Sequence, residues 1–157
     1  MQMNKELFQT LLKPVIQSVQ GKALDGELAD TLNRDFPPQS ELFKAIEAAC
    51  HAAIEAGWMC AQGDSGRRFG RVIKPGPETG DLSVDVVHLK DFVGPHHSHP
   101  TGEICMTMPI DGGALFDGQG AGWCINRPGS AHNPTVSNGE ALVLYMLPGG
   151  RIEFTKN

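Results

Sequence analysis

Residues 94–109 read GPHHSHPTGEICMTMP, and three imidazoles and one carboxylate, His96, His97, His99 and Glu103, fall within eight positions of each other. On an extended strand, residues two apart project to the same face, so His97 and His99 can offer imidazole nitrogen to one ion. The Pro100-Thr101-Gly102 turn is expected to bring the next strand back beside the first, with Glu103 presented to the same point. His132, in NRPGSAHNP (126–134), follows a proline-glycine turn at the start of a later strand and is the expected fourth ligand. Three histidines and a carboxylate leave coordination positions open for water or substrate, which suits a working centre better than a closed structural one. His51 and His88 read as ordinary helix and strand histidines.

Outward from this segment the chain changes character near residue 58. From Trp58 the apolar period is two, in runs over 67–74, 82–89, 103–109, 122–126, 141–147 and 151–154 separated by glycine and proline. Short strands at this spacing predict a small barrel or sandwich rather than a βαβ sheet. Before that point the period is helical. Leu7, Phe8, Leu11, Leu12, Val15, Ile16 and Val19 form one stripe; Leu42, Phe43, Ile46, Ala49, Cys50, Ala53 and Ile54 form another. Ser40 is placed to cap the latter helix and Gly57 to stop it; a shorter helical stretch surrounds Leu24, Leu28 and Leu32. Pro14 is expected to kink or interrupt the first helix. The organisation predicted is a helical segment over 1–57, packing on the barrel or on a partner subunit, and a barrel over 58–157.

The 157 residues are 40% hydrophobic and 20% charged, enough to bury a core. A net charge of −5 argues against nucleic acid as a partner, and no apolar run approaches the roughly 20 residues of a membrane helix. Cys50, Cys60, Cys105 and Cys124 show no CxxC pair and read as reduced thiols of a cytoplasmic protein.

The two histidine segments resemble the cupin superfamily, whose first motif has the form G(X)5HXH(X)3-4E(X)6G and second the form G(X)5PXG(X)2H(X)3N. His97, Ser98, His99, three residues and Glu103 fit the first; Gly122, five residues and Pro128 open the second. The flanks depart from the pattern: Gly94 lies three residues before His97, Gly112 comes late, PGSAH is one residue short, and Val136 replaces the terminal Asn. The resemblance implies a mainly β chain, a small cupin-type jelly-roll barrel after an N-terminal helical segment. It also implies a divalent metal ion on His97, His99, Glu103 and His132, with iron, manganese, nickel, cobalt and zinc all compatible.

Across its length, with PHHSHPTGEI, RPGSAH and the closing LVLYMLPGGRIEF, the chain also resembles the 4-hydroxylaminobenzoate lyases of bacterial nitrobenzoate degradation. That resemblance implies conversion of 4-hydroxylaminobenzoate to 3,4-dihydroxybenzoate with release of ammonia, without oxygen or a nicotinamide cofactor. A metal-dependent cupin oxygenase or isomerase acting on a small aromatic or carboxylic acid is the alternative; a cupin that only binds a ligand is a third. For the lyase, His96 and Tyr145 are candidate proton shuttles beside Glu103. The substrate carboxylate needs a cation, and RRFGRVIK (67–74) puts Arg67 and Arg71 on one face and Arg68 and Lys74 on the other, while Arg127 precedes the second turn. Cys105 and Thr107 share the parity of Glu103 and are expected to line the pocket; Met106 and Met108 point away from it. The helical stripes also offer apolar surface for a homodimer.

Overall fold

The computed structural model describes residues 3–155. Three helices come first: α1 (Lys5–Val19), α2 (Gly26–Asp35) and α3 (Glu41–Glu55). Each begins at a side chain that takes up an unpaired helical amide. Asn4 accepts from Leu7 N, Asp25 from Leu28 N and Ser40 from Phe43 N. Pro14 does not interrupt α1. It lies on the exposed side while Leu12, Val15 and Ile16 are buried, so the carbonyl its missing N–H leaves unpaired faces water.

Ten strands follow among the described residues: β1 (Gln62–Asp64), β2 (Arg67–Ile73), β3 (Leu82–Val93), β4 (His97–His99), β5 (Glu103–Pro109), β6 (Leu115–Phe116), β7 (Gly122–Asn126), β8 (Ser130–His132), β9 (Thr135–Pro148) and β10 (Glu153–Phe154). They form a large antiparallel sheet in the order β1-β2-β3-β9-β5-β7, with β6 on β9, and a small sheet in the order β10-β4-β8. The chain is mainly β, with the helical segment preceding a cupin-type barrel.

Strand alternation divides the large sheet into two surfaces with different work. Val72, Val84, Val86, Ile104, Met106, Met108, Leu142, Leu144 and Met146 face the helices and share one core with Phe8, Leu32, Phe43 and Ile46. The opposite face turns towards the small sheet and carries Leu89, Cys105, Ala141 and Val143, with Val87, Phe92 and Tyr145 beside them. The helical stripes are thus used within the chain. Among the described residues, the large apolar side chains left exposed are Val93, Ile110 and Phe154.

Helix α2 fastens the β7 edge. Asn33 Nδ2 donates to the Trp123 carbonyl at 2.9 Å, its Oδ1 accepts from Trp123 N at 2.8 Å, and the Trp123 indole donates to the Phe36 carbonyl at 2.8 Å. The edge thereby finds partners in the same chain. No helix among the described residues is long and apolar enough to cross a membrane, and the four cysteines are free.

Candidate metal centre

The small sheet exists to hold two histidines against a third. In the β4–β8 ladder His97 is the direct partner of His132 and His99 of Ser130, and alternation on β4 turns His97 and His99 to the same side. The Pro100-Thr101-Gly102 turn does not fold β5 back along β4, as the sequence led us to expect. Both edges of β4 are taken, by β8 and β10, so the turn passes the chain into the large sheet, where β5 pairs with β7 and β9. Glu103, first residue of β5, therefore reaches the histidines from the facing sheet.

The three Nε2 atoms form a nearly equilateral triangle: His97 to His99 3.1 Å, His99 to His132 3.0 Å and His132 to His97 3.0 Å. Glu103 Oε1 lies 3.3 Å from His99 Nε2 and 3.9 Å from His132 Nε2. The other ring nitrogens show which atoms carry protons. His97 Nδ1 donates to the Pro95 carbonyl at 3.1 Å, and His132 Nδ1 donates to Asp117 Oδ2 at 2.7 Å. With those protons on Nδ1, the Nε2 lone pairs of His97 and His132 converge on one point. A carboxylate oxygen points there too, and such a donor set suits a cation. Nitrogens held roughly 2.1 Å from one ion at right angles to each other lie about 3.0 Å apart, so the triangle suits neighbouring positions of an octahedral ion with others left open. The residues present fit a divalent metal.

Burial tunes each member. Burial and the neighbouring His132 pull His97 down to about 4, and burial with the adjacent imidazoles pulls His99 down to about 3. Both stay neutral, as a ligand must. Burial also lowers His132, but the Asp117 hydrogen bond and the Glu103 and Asp117 charges outweigh it and raise the value overall. Burial pushes the Glu103 carboxyl above its usual range, against hydrogen bonds donated by Asn126 Nδ2 (2.7 Å) and the Cys105 thiol (3.0 Å). Asn126 is the β7 partner of Glu103 in the ladder, so the orienting amide comes from sheet register.

The remaining expected residues are distributed unevenly. Tyr145, Arg67 and His97 line one cavity of about 160 Å³ together with Phe69, Phe92 and Phe154. Burial and the charges of Asp85 and Glu103 push the Tyr145 hydroxyl above its usual value, so it remains a proton donor. His96 is on the other side of β4, its ring bonded to the Thr155 hydroxyl. Arg71 is taken by Asp85, Nε to Oδ1 at 3.0 Å, and by the Gly150 carbonyl at 3.2 Å. Arg127 is exposed on the turn before β8 and outside the cavity lining. Cys105 is fully buried and serves Glu103 rather than the cavity. His88 pairs with Glu140 at 2.5 Å and His51 is exposed on α3. Asp117, Asn126 and the three phenylalanines were missed, because each acts through a cross-strand or cross-sheet partner that no local spacing announces.

Residues 10–154 match the model of the family described as PnbB, 4-hydroxylaminobenzoate lyase. The chain is 32% identical to a 4-hydroxylaminobenzoate lyase of Pseudomonas putida, over 88% of this chain and 89% of that protein. It is 28% identical to one of Nocardioides sp. strain LMS-CY, over 90% and 89%. Among solved structures it is similar to an RmlC-like cupin protein of Ralstonia eutropha JMP134, with a TM-score of 0.46, 11% identity, and coverage of 62% of this chain and 64% of that one.

Proposed function

The chain belongs to the 4-hydroxylaminobenzoate lyase family, and from that premise we propose that it converts 4-hydroxylaminobenzoate to 3,4-dihydroxybenzoate and ammonia at the His97–His99–Glu103–His132 centre. The observation that carries the placement is the convergence of three Nε2 atoms and a carboxylate oxygen beside a cavity lined by aromatic rings, one tyrosine and one arginine. The proposed cofactor is one divalent ion, whether iron, manganese, nickel, cobalt or zinc.

The overall change is one water in and one ammonia out, with no external oxidant: the electrons that cleave the N–O bond come from the ring. The N-hydroxyl leaves as water, a second water adds to the ring carbon beside the nitrogen, the imine carbon is hydrolysed to release ammonia, and proton loss from the ring restores aromaticity. A bound ion supplies Lewis acidity. The chain supplies the rest. Tyr145, kept protonated by burial, donates to the departing oxygen. Phe69, Phe92 and Phe154 wall the ring from bulk water. Glu103, fixed by Asn126 and Cys105, holds negative charge next to the imidazoles. His96, directed to Thr155, takes no part in this scheme. The four free cysteines support a reducing, cytoplasmic setting.

The test is anaerobic incubation of purified protein with 4-hydroxylaminobenzoate, quantifying ammonia and 3,4-dihydroxybenzoate with and without prior chelation. Equimolar products, lost on chelation and restored by a divalent ion, are expected. No turnover after reconstitution under nitrogen, with turnover appearing in air, would move the chain to the oxygenase reading.

A further inference from the structure

Three arginines compete for the substrate carboxylate, and only one is placed to receive it. Arg71 is neutralised by Asp85, and Arg127 is outside the cavity. Arg67 is at the cavity wall, its guanidinium 5.1 Å from the centre of the Phe69 ring and 5.7 Å from that of Phe92. Two aromatic faces hold the cation in place without cancelling its charge. Among the described residues Arg67 has no carboxylate partner, and the cavity lining contains no other lysine or arginine and no aspartate or glutamate. The lining also includes His97, a member of the metal cluster, and Phe154, whose ring meets His97 edge-on at 5.3 Å.

We propose that Arg67 is the specificity-determining anchor of this cavity, binding the carboxylate of a single-ring aromatic acid so that its para substituent is carried to the His97 side. The proposal deepens the lyase reading and rests on it for the identity of the para group. The chemistry is a bidentate guanidinium–carboxylate pair at the mouth of an apolar, aromatic-walled space, where the ring gains stacking and the anion gains the one cationic side chain in the lining. At about 160 Å³ the space is smaller than the roughly 300–1,000 Å³ of sites for drug-sized molecules, which limits the occupant to one ring. An uncharged ring fits as well but leaves the guanidinium without an anion.

The experiment pairs turnover with binding in the metal-loaded protein. The kcat/KM ratio for 4-hydroxylaminobenzoate over the uncharged phenylhydroxylamine is measured in wild type, Arg67→Met, Arg67→Lys and Arg68→Met, the last on the opposite face of β2. In parallel, calorimetry compares 4-aminobenzoate with aniline as non-reacting probes. Arg67→Met should lower the ratio, and the affinity for 4-aminobenzoate, by about 10–100-fold. Arg67→Lys should recover part of both, and Arg68→Met should keep the wild-type values. An Arg67→Met protein that is folded by circular dichroism yet keeps its preference for the carboxylate overturns the assignment, as does equal weakening of charged and uncharged probes. A wild type that turns over neither compound refutes the lyase reading, while the 4-aminobenzoate and aniline arm still decides the role of Arg67.

Discussion

His97 and His132 are direct partners across β4 and β8, and their Nε2 atoms lie 3.0 Å apart. The outer nitrogen of each ring is anchored differently: His97 on the Pro95 carbonyl two residues before it, His132 on the Asp117 carboxylate fifteen residues before it. One anchor is local backbone. The other is a side chain on the tight turn after β6, with Asp117 at φ 48°, its second oxygen accepting from Thr135 N at 2.9 Å.

Asp117→Ala should therefore loosen His132 without unfolding the barrel. Metal affinity, read by competition with a chelator, is expected to fall about 10–100-fold, as is usual when the partner of a ligating histidine is lost. Asp117→Asn, which still accepts from His132, should lose less. Equal affinity in all three proteins would show that β8 alone fixes the ring.

The buried imidazoles predict an acid limit for the metal-free protein. His97 and His99 hold off protonation until about pH 4 and 3, whereas an unfolded histidine takes a proton near 6.5. Their share of stability is present above 6.5 and is lost as pH falls from there through about 4 for His97 and about 3 for His99. His132, with its raised value, acts in the other direction. Ring titration by NMR should show His97 and His99 neutral at pH 5.5, and a His97→Gln/His99→Gln protein should give a flatter stability profile between pH 6.5 and 4.

Gly102 joins the two sheets in a backbone conformation that disfavours a side chain. Its φ is 88°, and an added Cβ would come within 2.7 Å of Leu24 Cδ2 and 3.1 Å of the Asn126 carbonyl. Gly102→Ala should cost roughly 1–2 kcal/mol from backbone conformation alone, and it should displace Glu103, the next residue. A melting curve and a metal titration check both effects together; a variant with lowered stability and unchanged metal affinity would separate the turn from the site.

Ile46 is fully buried on α3 in the core shared with the sheet. Ile46→Ala should destabilise by about 2–5 kcal/mol in chemical denaturation. If the helices merely rested on the barrel, the loss would be far smaller and activity would survive helix unfolding.

Much of this was legible beforehand where one residue's parity decides the outcome. β5 and β7 begin and end as their alternation predicts, and His97, His99, Glu103 and His132 meet as the motif spacing requires. Boundaries failed where a strand bends without ending. β3 continues past Leu89 through Asp91, at φ 40°, and β9 starts six residues before Ala141, passing Asn138 and Gly139 at φ 60° and 124°. Such residues read as turns, yet Gly139 N donates to Asp91 Oδ1 at 3.0 Å, so the two bends brace each other where the β3–β9 register shifts between Lys90 and Phe92, and pairing resumes beyond them. Which arginine faces the cavity was not readable either. Arg67 and Arg71 share a strand face, and it is Asp85, on the neighbouring strand, that takes one and leaves the other.

The two-faced β5 has a consequence for how this protein can vary. Of its odd positions, Glu103 and Cys105 lie at the centre, while Thr107 lines a separate cavity beside Trp123 and not the one expected; its even positions, Ile104, Met106 and Met108, look outward to the helices. Deleting or inserting a single residue at the start of the strand would exchange the two sets at once, offering an isoleucine to the imidazoles and a carboxylate to the apolar core. Substitutions can be graded along this strand, but changes of length cannot. Insertions and deletions among relatives should therefore collect in the exposed Gly112–Gly113 and Gly118–Gly120 loops and be missing between His97 and Pro109.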